Sequence, residues 1–323
     1  MPLPTKHIRS QGSVIASIGA TALTALRRSV TGAGPESLPE LPSPELHQTL
    51  SPRPRELIRD YVRFCGGDPS SYKHTVPPHL WPQWGFPLAA KTLEQIPYPL
   101  FKVLNGGCRV EVNGTLANDE PLEVSARLVS IDENERRAVL EHQVVTGTAA
   151  NPRAIVATMY AIVPLGGGSK RSGQSKPQPE RVPLDAEELA RWKLAPNAGL
   201  AFAMLTGDFN PVHWLPPYAR AFGFRNTILH GFASMAMAWE RLVRSRYGGS
   251  PTAIRCVDVK FTKPLTLPAK VGLYLQADEP GEPGEPERDQ TQDRIWVAAA
   301  PGASPYLAGT VRGARPATQS TRS

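Results

Sequence analysis

Arg109-Val110-Glu111-Val112 and Cys256-Val257-Asp258-Val259 are one pattern written twice, about 146–147 residues apart. Apolar and polar side chains alternate with period two, most clearly in Val257-Asp258-Val259-Lys260-Phe261, which marks a strand with one buried face. The same order of elements surrounds both copies. Ahead of the first, 54–65 has a helical pattern, with Leu57, Ile58, Tyr61, Val62 and Cys65 on one face and Gly66-Gly67 as a stop. A Pro-rich stretch (77–87) and a short apolar segment (88–96) follow, then strand-like runs at 109–116, 122–131, 138–146 and 154–163. Around the second copy come an apolar helical run at 199–205, a polar loop and a longer helix at about 231–247. Strand-like runs at 254–262, 270–277, 294–300 and 306–312 complete it. Gly67-Asp68 and Gly207-Asp208 repeat at an offset of 140. A central helix followed by several long strands, used twice, predicts an α+β chain: a helix wrapped by a curved antiparallel sheet, duplicated.

The chain has 323 residues, enough for two ordinary domains. With 41% hydrophobic and 20% charged residues it is neither a disordered chain nor a membrane-rich one. The clearest break is the run 166–177, GGGSKRSGQSKP, a Gly/Ser/Lys-rich linker that lacks the frame of a phosphate-binding loop. An acidic, Pro-rich run at 278–288 reads as a solvated loop between strands. The net charge of +7 invites a nucleic-acid reading, but stretches 1–35, 170–181 and 311–323 carry +10 between them, leaving −3 for the rest. Basicity sits in ends and linker, no nucleic-acid motif appears, and no nucleic-acid partner is expected. No apolar run reaches the ~18–20 residues of a membrane span. The acid-free, Arg-bearing start fits a transit peptide and an amphipathic helix over 14–26 equally well by composition; the helix is preferred. Three widely spaced cysteines without a CxxC argue against a disulfide framework or a zinc knuckle and suit a reducing compartment. The expected location is cytoplasmic.

The chemistry concentrates in Leu205-Thr206-Gly207-Asp208-Phe209-Asn210-Pro211-Val212-His213. A carboxylate, a carboxamide and an imidazole fall within six residues, on a loop after an apolar helix. Pro211 fixes the backbone ahead of His213 and biases Asn210 away from helix. Asp208 and His213 on a rigid turn face one another across a substrate-sized gap, equipment for removing a proton at one carbon and delivering one at its neighbour. Asn210 holds a water or orients one of the pair. Leu229-His230-Gly231-Phe232 then opens an apolar helix, whose first N–H groups lack intrahelical partners and sit at its positive end. Gly231 lets a carbonyl oxygen approach them. Taken alone, Asp208 reads as an ordinary turn cap; His230 reads as a packed or hydrogen-bonding residue rather than a base.

Gly207-Asp208-x-Asn210-Pro211-x-His213, followed by His230-Gly231 before a helix, resembles the MaoC-like, (R)-specific enoyl-CoA hydratase (hydratase 2) family. The resemblance covers about 185–313 well, and the first half only as a degraded copy, as in double-hotdog members. It implies the hotdog fold in both halves: a leading segment 1–50, a degenerate hotdog 51–165, a linker 166–182, a catalytic hotdog 183–313 and a tail 314–323. It implies reversible hydration of trans-2-enoyl thioesters to (R)-3-hydroxyacyl thioesters, with Asp208 and His213 as the acid–base pair, Asn210 assisting and Gly231 as the oxyanion-hole amide. Pro211, His230, Phe232, Trp84 and Phe86 would touch substrate, although core packing is the stronger reading for the first-half aromatics. An aimed N–H is worth ~3–4 kcal/mol at such a site, and a positioned acid–base pair about 10²–10⁴-fold. His213 is assigned the proton at C2, and Asp208 the hydroxyl or water at C3; the reverse division, or one shared water, uses the same atoms.

In the first half, Asp68 lines up with Asp208, Ser70 with Asn210, Ser71 with Pro211 and Lys73 with His213, so that half is expected to be inactive. No cofactor and no metal is expected, since no third ligand stands at zinc-like spacing from Asp208 and His213. The expected substrate is a thioester of coenzyme A or acyl carrier protein, and the expected assembly a monomer or homodimer. Two other functions fit the fold: a hotdog acyl-thioesterase, which has no need of the Asn-Pro-x-His arrangement, and a non-catalytic acyl-binding subunit.

Overall fold

Ten strands in the computed structural model form one antiparallel sheet running through both halves of the chain. The structure describes residues 3–12, 14–16, 19–20, 23–24, 27, 35, 37–99, 103–166, 179–277 and 290–314. The first half contributes β1 (Leu46–Leu50), α1 (Arg55–Cys65), α2 (Pro82–Thr92), β2 (Leu104–Val112), β3 (Leu122–Asn134), β4 (Arg137–Gly147) and β5 (Ile155–Pro164). The second contributes β6 (Glu187–Leu194), α3 (Ala198–Thr206), α4 (Pro216–Ala221), β7 (Ile228–Leu229) and α5 (Gly231–Ser245). After these come β8 (Ile254–Phe261), β9 (Leu265–Thr266), β10 (Ala269–Ala277), β11 (Gln290–Ala298) and β12 (Leu307–Ala314). The large sheet runs β1-β3-β4-β5-β2-β8-β12-β11-β10-β6, and β7 pairs with β9 in a small ribbon.

The strand order reads as two matching sets of five, joined where β2 pairs with β8. Val110 stands opposite Val257 at that join, with Arg109 opposite Asp258 and Glu111 opposite Cys256. The two copies of the opening motif therefore lie against each other about a local two-fold axis. Arg109 crosses the join to Asp258 (Nη1 to Oδ2, 3.6 Å).

The central helix of the second half, α5, is buried nearly all round: Phe232, Ala233, Met235, Ala236, Trp239, Leu242 and Val243 are all covered. Small residues at 233 and 236 let its neighbours approach closely, as a helix inside a curved sheet requires. The first-half central helix, α2, begins within the Pro-rich stretch that the sequence left without a helix. Pro82 takes the first helical position, where the missing N–H costs nothing. Two edge strands also escaped the sequence reading. β1 (Leu46–Leu50) falls in what was expected to be the leading segment, yet pairs with β3; β6 closes the other edge against β10.

The three cysteines are free and buried. Among the described residues, no helix is long and apolar enough to cross a membrane. Of the helix expected over 14–26, residues 14–16, 19–20 and 23–24 are described and all are helical, with Val14 buried; the rest lie outside the described residues. The expected linker run, the acidic run at 278–288 and the tail after 314 also lie outside them, save for the linker's ends.

Candidate active site

α3 ends on Gly207, whose φ of 85° places it in the left-handed region and turns the chain out of the helix. Asp208 follows immediately. Its carboxylate is 22% exposed, and Oδ1 accepts from the Asn210 backbone N–H at 3.3 Å. Pro211–His213 forms one tight turn capped by Asn210, whose side-chain Oδ1 accepts from Val212 N–H (3.2 Å). The Asn210 side-chain oxygen is thus engaged by the turn at an exposed position, and the residue reaches Asp208 through its main chain. Pro211 stands at the first position of the turn and is half-buried.

His213 is half-buried, and its Nδ1 lies 2.9 Å from the Ile228 carbonyl of β7. A carbonyl only accepts, so Nδ1 carries the hydrogen and Nε2 is left bare as a base. Burial holds the imidazole below its ordinary pKa of 6.5, against the opposing pull of the Asp208 charge and the Ile228 carbonyl. Gly199 on α3 makes room for this residue: a Cβ there would lie 2.1 Å from the His213 carbonyl oxygen.

His230 caps α5, is buried, and donates from Nε2 to the Asp208 backbone carbonyl at 3.0 Å. Its ring stacks on His213, with centroids 3.5 Å apart and 24° between planes, and packs against Phe202 at 4.9 Å. Burial, and then the adjacent His213, push its pKa down to about 3, so His230 stays neutral and acts as a strut rather than a base.

Asp208, His213 and His230, a trio whose sequence spacing is not that of a zinc site, each present an atom within 4.8 Å of the others. The donor set does not suit a metal ion. His230 Nε2 is committed to a main-chain carbonyl, as is His213 Nδ1. The stacked rings hold their remaining lone pairs in nearly parallel planes, which do not converge on one ion at the ~2.0–2.1 Å of a zinc–nitrogen bond.

Gly231 is the first residue of α5, where the backbone N–H points out of the helix end. A Cβ at this position would lie 2.6 Å from the Phe261 ring, so glycine is demanded by an aromatic neighbour as well. Phe232 is buried and meets Phe86 (5.0 Å), Trp81 (5.4 Å) and Phe261 (5.4 Å) edge to face. Phe86, half-buried on α2, therefore reaches the neighbourhood of Gly231. Trp84 is a buried core residue, with its indole N–H bonded to Thr146 Oγ1 at 2.9 Å. Ile228, Gly199, Phe202 and Phe261 also shape the site; sequence reasoning missed them because their contacts are remote along the chain. The small residues of α3 and the β-branched pair Thr227-Ile228 ahead of His230 were the available signals.

The first half does not align as its sequence suggested. Its helix-ending glycine is Gly66, with φ 82°, and so matches Gly207. Asp68 caps the turn Pro69–Tyr72 by accepting from Ser70 N–H (2.9 Å), the task of Asn210. Asp68 is therefore the counterpart of Asn210, and Gly67 stands where Asp208 would be. A carboxylate from the other half fills the space: Glu240 Oε2 lies 2.1 Å from where a Gly67 Cβ would sit. Glu240 Oε1 meets His79 Nε2 at 2.9 Å, and both side chains are buried, at 2% and 0% exposure.

Residues 176–293 match the family described as MaoC like domain. The chain is 34% identical over 142 residues to 3-hydroxyacyl-thioester dehydratase X of Mycobacterium tuberculosis, covering 44% of this chain and 45% of that protein. It spans less than half the length of the first curated relatives it matches. The crystal structure of HtdX from Mycobacterium tuberculosis superposes with a TM-score of 0.63 at 22% identity, over 84% of this chain and all of that one. Another protein of that organism, described as having a double hotdog fold, gives a TM-score of 0.56 at 10% identity over 86% of this chain and 97% of its own. The two superpositions show the α+β double hotdog fold, and the sequence matches add that residues 176–293 are similar to the MaoC like domain.

Proposed function

We propose that this chain is a hydro-lyase that adds water across the C2=C3 bond of trans-2-enoyl thioesters, giving (R)-3-hydroxyacyl thioesters, and runs the dehydration in reverse. The observation that carries this reading is the convergence of Asp208 and His213 on one loop beside the N-terminal end of α5. Acidity at C2 of a thioester depends on stabilising charge on its carbonyl oxygen, and the free Gly231 amide is suited to that oxygen. In the dehydrating direction His213 Nε2 takes the proton from C2. The proton leaves with the C3 hydroxyl as water, and the Asp208 carboxylate orients that hydroxyl while balancing the charge formed on the imidazole. Asn210 serves by holding Asp208 through its main-chain N–H. Hydration is the same path reversed.

These steps use side chains and one backbone amide, with no resident cofactor. The working unit is 183–313, and the unit 51–165 is read as the one that lost the chemistry. The thiol of the substrate is coenzyme A or a carrier protein, and the location cytoplasmic. Because one chain already contains the paired halves, either a monomer or a homodimer carries a complete site.

Purified protein incubated with crotonyl-CoA should remove the absorbance of the conjugated double bond. Absence of turnover at every chain length, on both coenzyme A and carrier protein, overturns the reading. Release of free thiol would make the protein a thioesterase, and binding without turnover an acyl-binding subunit.

A further inference from the structure

Gln11 lies at the end of the tight helical turn Thr5–Gln11, far from the site in sequence, and is completely buried. Its amide nitrogen donates to the Leu205 carbonyl at 3.0 Å and to the Met204 carbonyl at 3.4 Å. Both belong to the last turn of α3, whose final carbonyls have no partner within the helix. The Gln11 oxygen accepts from Gln83 Nε2 of α2 at 2.9 Å, and Gln83 Oε1 accepts from Arg53 at 3.2 Å. Every polar atom of the buried amide is thus satisfied, which fixes its place. Three residues beyond Gln11, the side chain of Val14 lies 2.7 Å from where a Gly207 Cβ would sit, directly behind the turn that carries Asp208. The other end of the segment is tied to α1: Lys6 pairs with Glu56 and with Asp60 (2.8 Å), and His7 meets Asp60 at 2.9 Å.

We infer that this N-terminal segment is a brace for the catalytic loop and that Gln11 is a positioning residue, acting on Asp208 through the end of α3. The inference rests on the hydration reading for its kinetic consequence. Asp208 is otherwise held by its own carbonyl on His230 and by a long 3.3 Å contact to Asn210 N–H. Neither fixes the helix end from which the loop departs. Gln11 does, and it ties that end to α2, the helix that carries Phe86 toward Gly231. Reaction geometry is steep in distance, so a small drift of the carboxylate lowers turnover more than binding.

The test uses the full chain with Gln11→Met, which keeps the length of the side chain and removes its hydrogen bonds. The expected result is a kcat lower by about tenfold with KM changed by less than about twofold. In an Asp208→Asn background the same substitution should cause no further loss, because the group it positions is already gone. Hydrogen–deuterium exchange over 205–213 should accelerate in Gln11→Met, a readout that stands even if no thioester is turned over. If the wild-type protein proves inactive, the hydration reading fails and exchange alone decides the brace. Unchanged kcat, an equal loss in the Asp208→Asn background, or unchanged exchange over 205–213 overturns the proposal. Should Gln11→Met fail to fold, Gln83→Met, which leaves the Gln11 bonds to α3 in place and frees the Gln11 oxygen and Arg53 Nη1, replaces it and should show the same pattern at smaller amplitude.

Discussion

A carboxylate and an imidazole meet behind the first long helix of each half, one pair built within the second half and the other shared between the halves, and the two pairs differ in what those groups touch. In the second half Asp208 and His213 converge without bonding each other: Asp208 leans on Asn210 and His230, His213 on Ile228, and the facing atoms stay open. Behind the first-half helix, His79 and the second-half Glu240 are bonded to each other, and His79 also meets Tyr61, all three buried. One arrangement holds its carboxylate and imidazole by their backs and leaves their fronts open. The other satisfies them completely and turns them into core. Burial and mutual pairing distinguish this closed polar cluster from the open one.

The largest expected effect falls on the open site. Asp208→Asn and His213→Ala should each lower hydration of enoyl-CoA by about 10²–10⁴-fold in steady-state assays with little change in thermal unfolding. Asp68→Asn, at the position that aligns by sequence with Asp208 but caps the turn Pro69–Tyr72, should leave turnover unchanged. The reciprocal experiment belongs to the closed site. His79→Ala leaves a buried carboxylate without its partner and should destabilise the fold by about 3–5 kcal/mol in urea titrations.

Acidification should separate the sites further. The folded chain holds His230 neutral, with a pKa near 3 against an ordinary 6.5. Its contribution to stability is full above pH 6.5 and is lost as the pH falls from there toward 3. Over that range the unfolded chain takes up a proton that the folded one refuses, so unfolding free energies measured at stepped pH should drop by ~1.4 kcal/mol per pH unit from this residue. The depressed pKa of His213 also places the acid limb of kcat/KM below pH 6.5, because its base form survives into more acidic solution.

Smaller effects sharpen the alignment of the halves. Gly67→Ala pushes a methyl group into the pinned Glu240 carboxylate and should cost about 1–3 kcal/mol by calorimetry. Asn210→Ala should cost ~1 kcal/mol as a lost cap, and its effect on turnover should fall well short of that of Asp208→Asn.

Much of this was legible in the chain. The alternation around Val257 and its echo around Val110 predicted the strands that meet at the centre of the sheet, because a buried seam imposes strict period-two patterning. The helix α2 was hidden by its prolines, which mark loops unless one occupies a first helical turn. The edge strands β1 and β6 were hidden because one face meets solvent and the other meets only one neighbour, so His47, Gln48 and Thr49 show no apolar rhythm. At the site, Asp208 and His213 were readable from local spacing. The struts that set their direction, Ile228 and Gln11, act through backbone carbonyls and a single buried amide, and such contacts leave no mark in composition or period. The mismatch at Asp68 has the same origin: letters aligned Asp with Asp, whereas capping geometry aligned it with Asn.

The join between β2 and β8 has an evolutionary consequence. In an assembly of identical subunits, symmetry copies every mutation into both sites at once, so neither site is free to change alone. Here the dyad through Val110 and Val257 lies inside a single polypeptide, and the halves mutate independently. One half can therefore close its polar groups into core, as His79 and Glu240 are closed, while the other keeps Asp208 and His213 open.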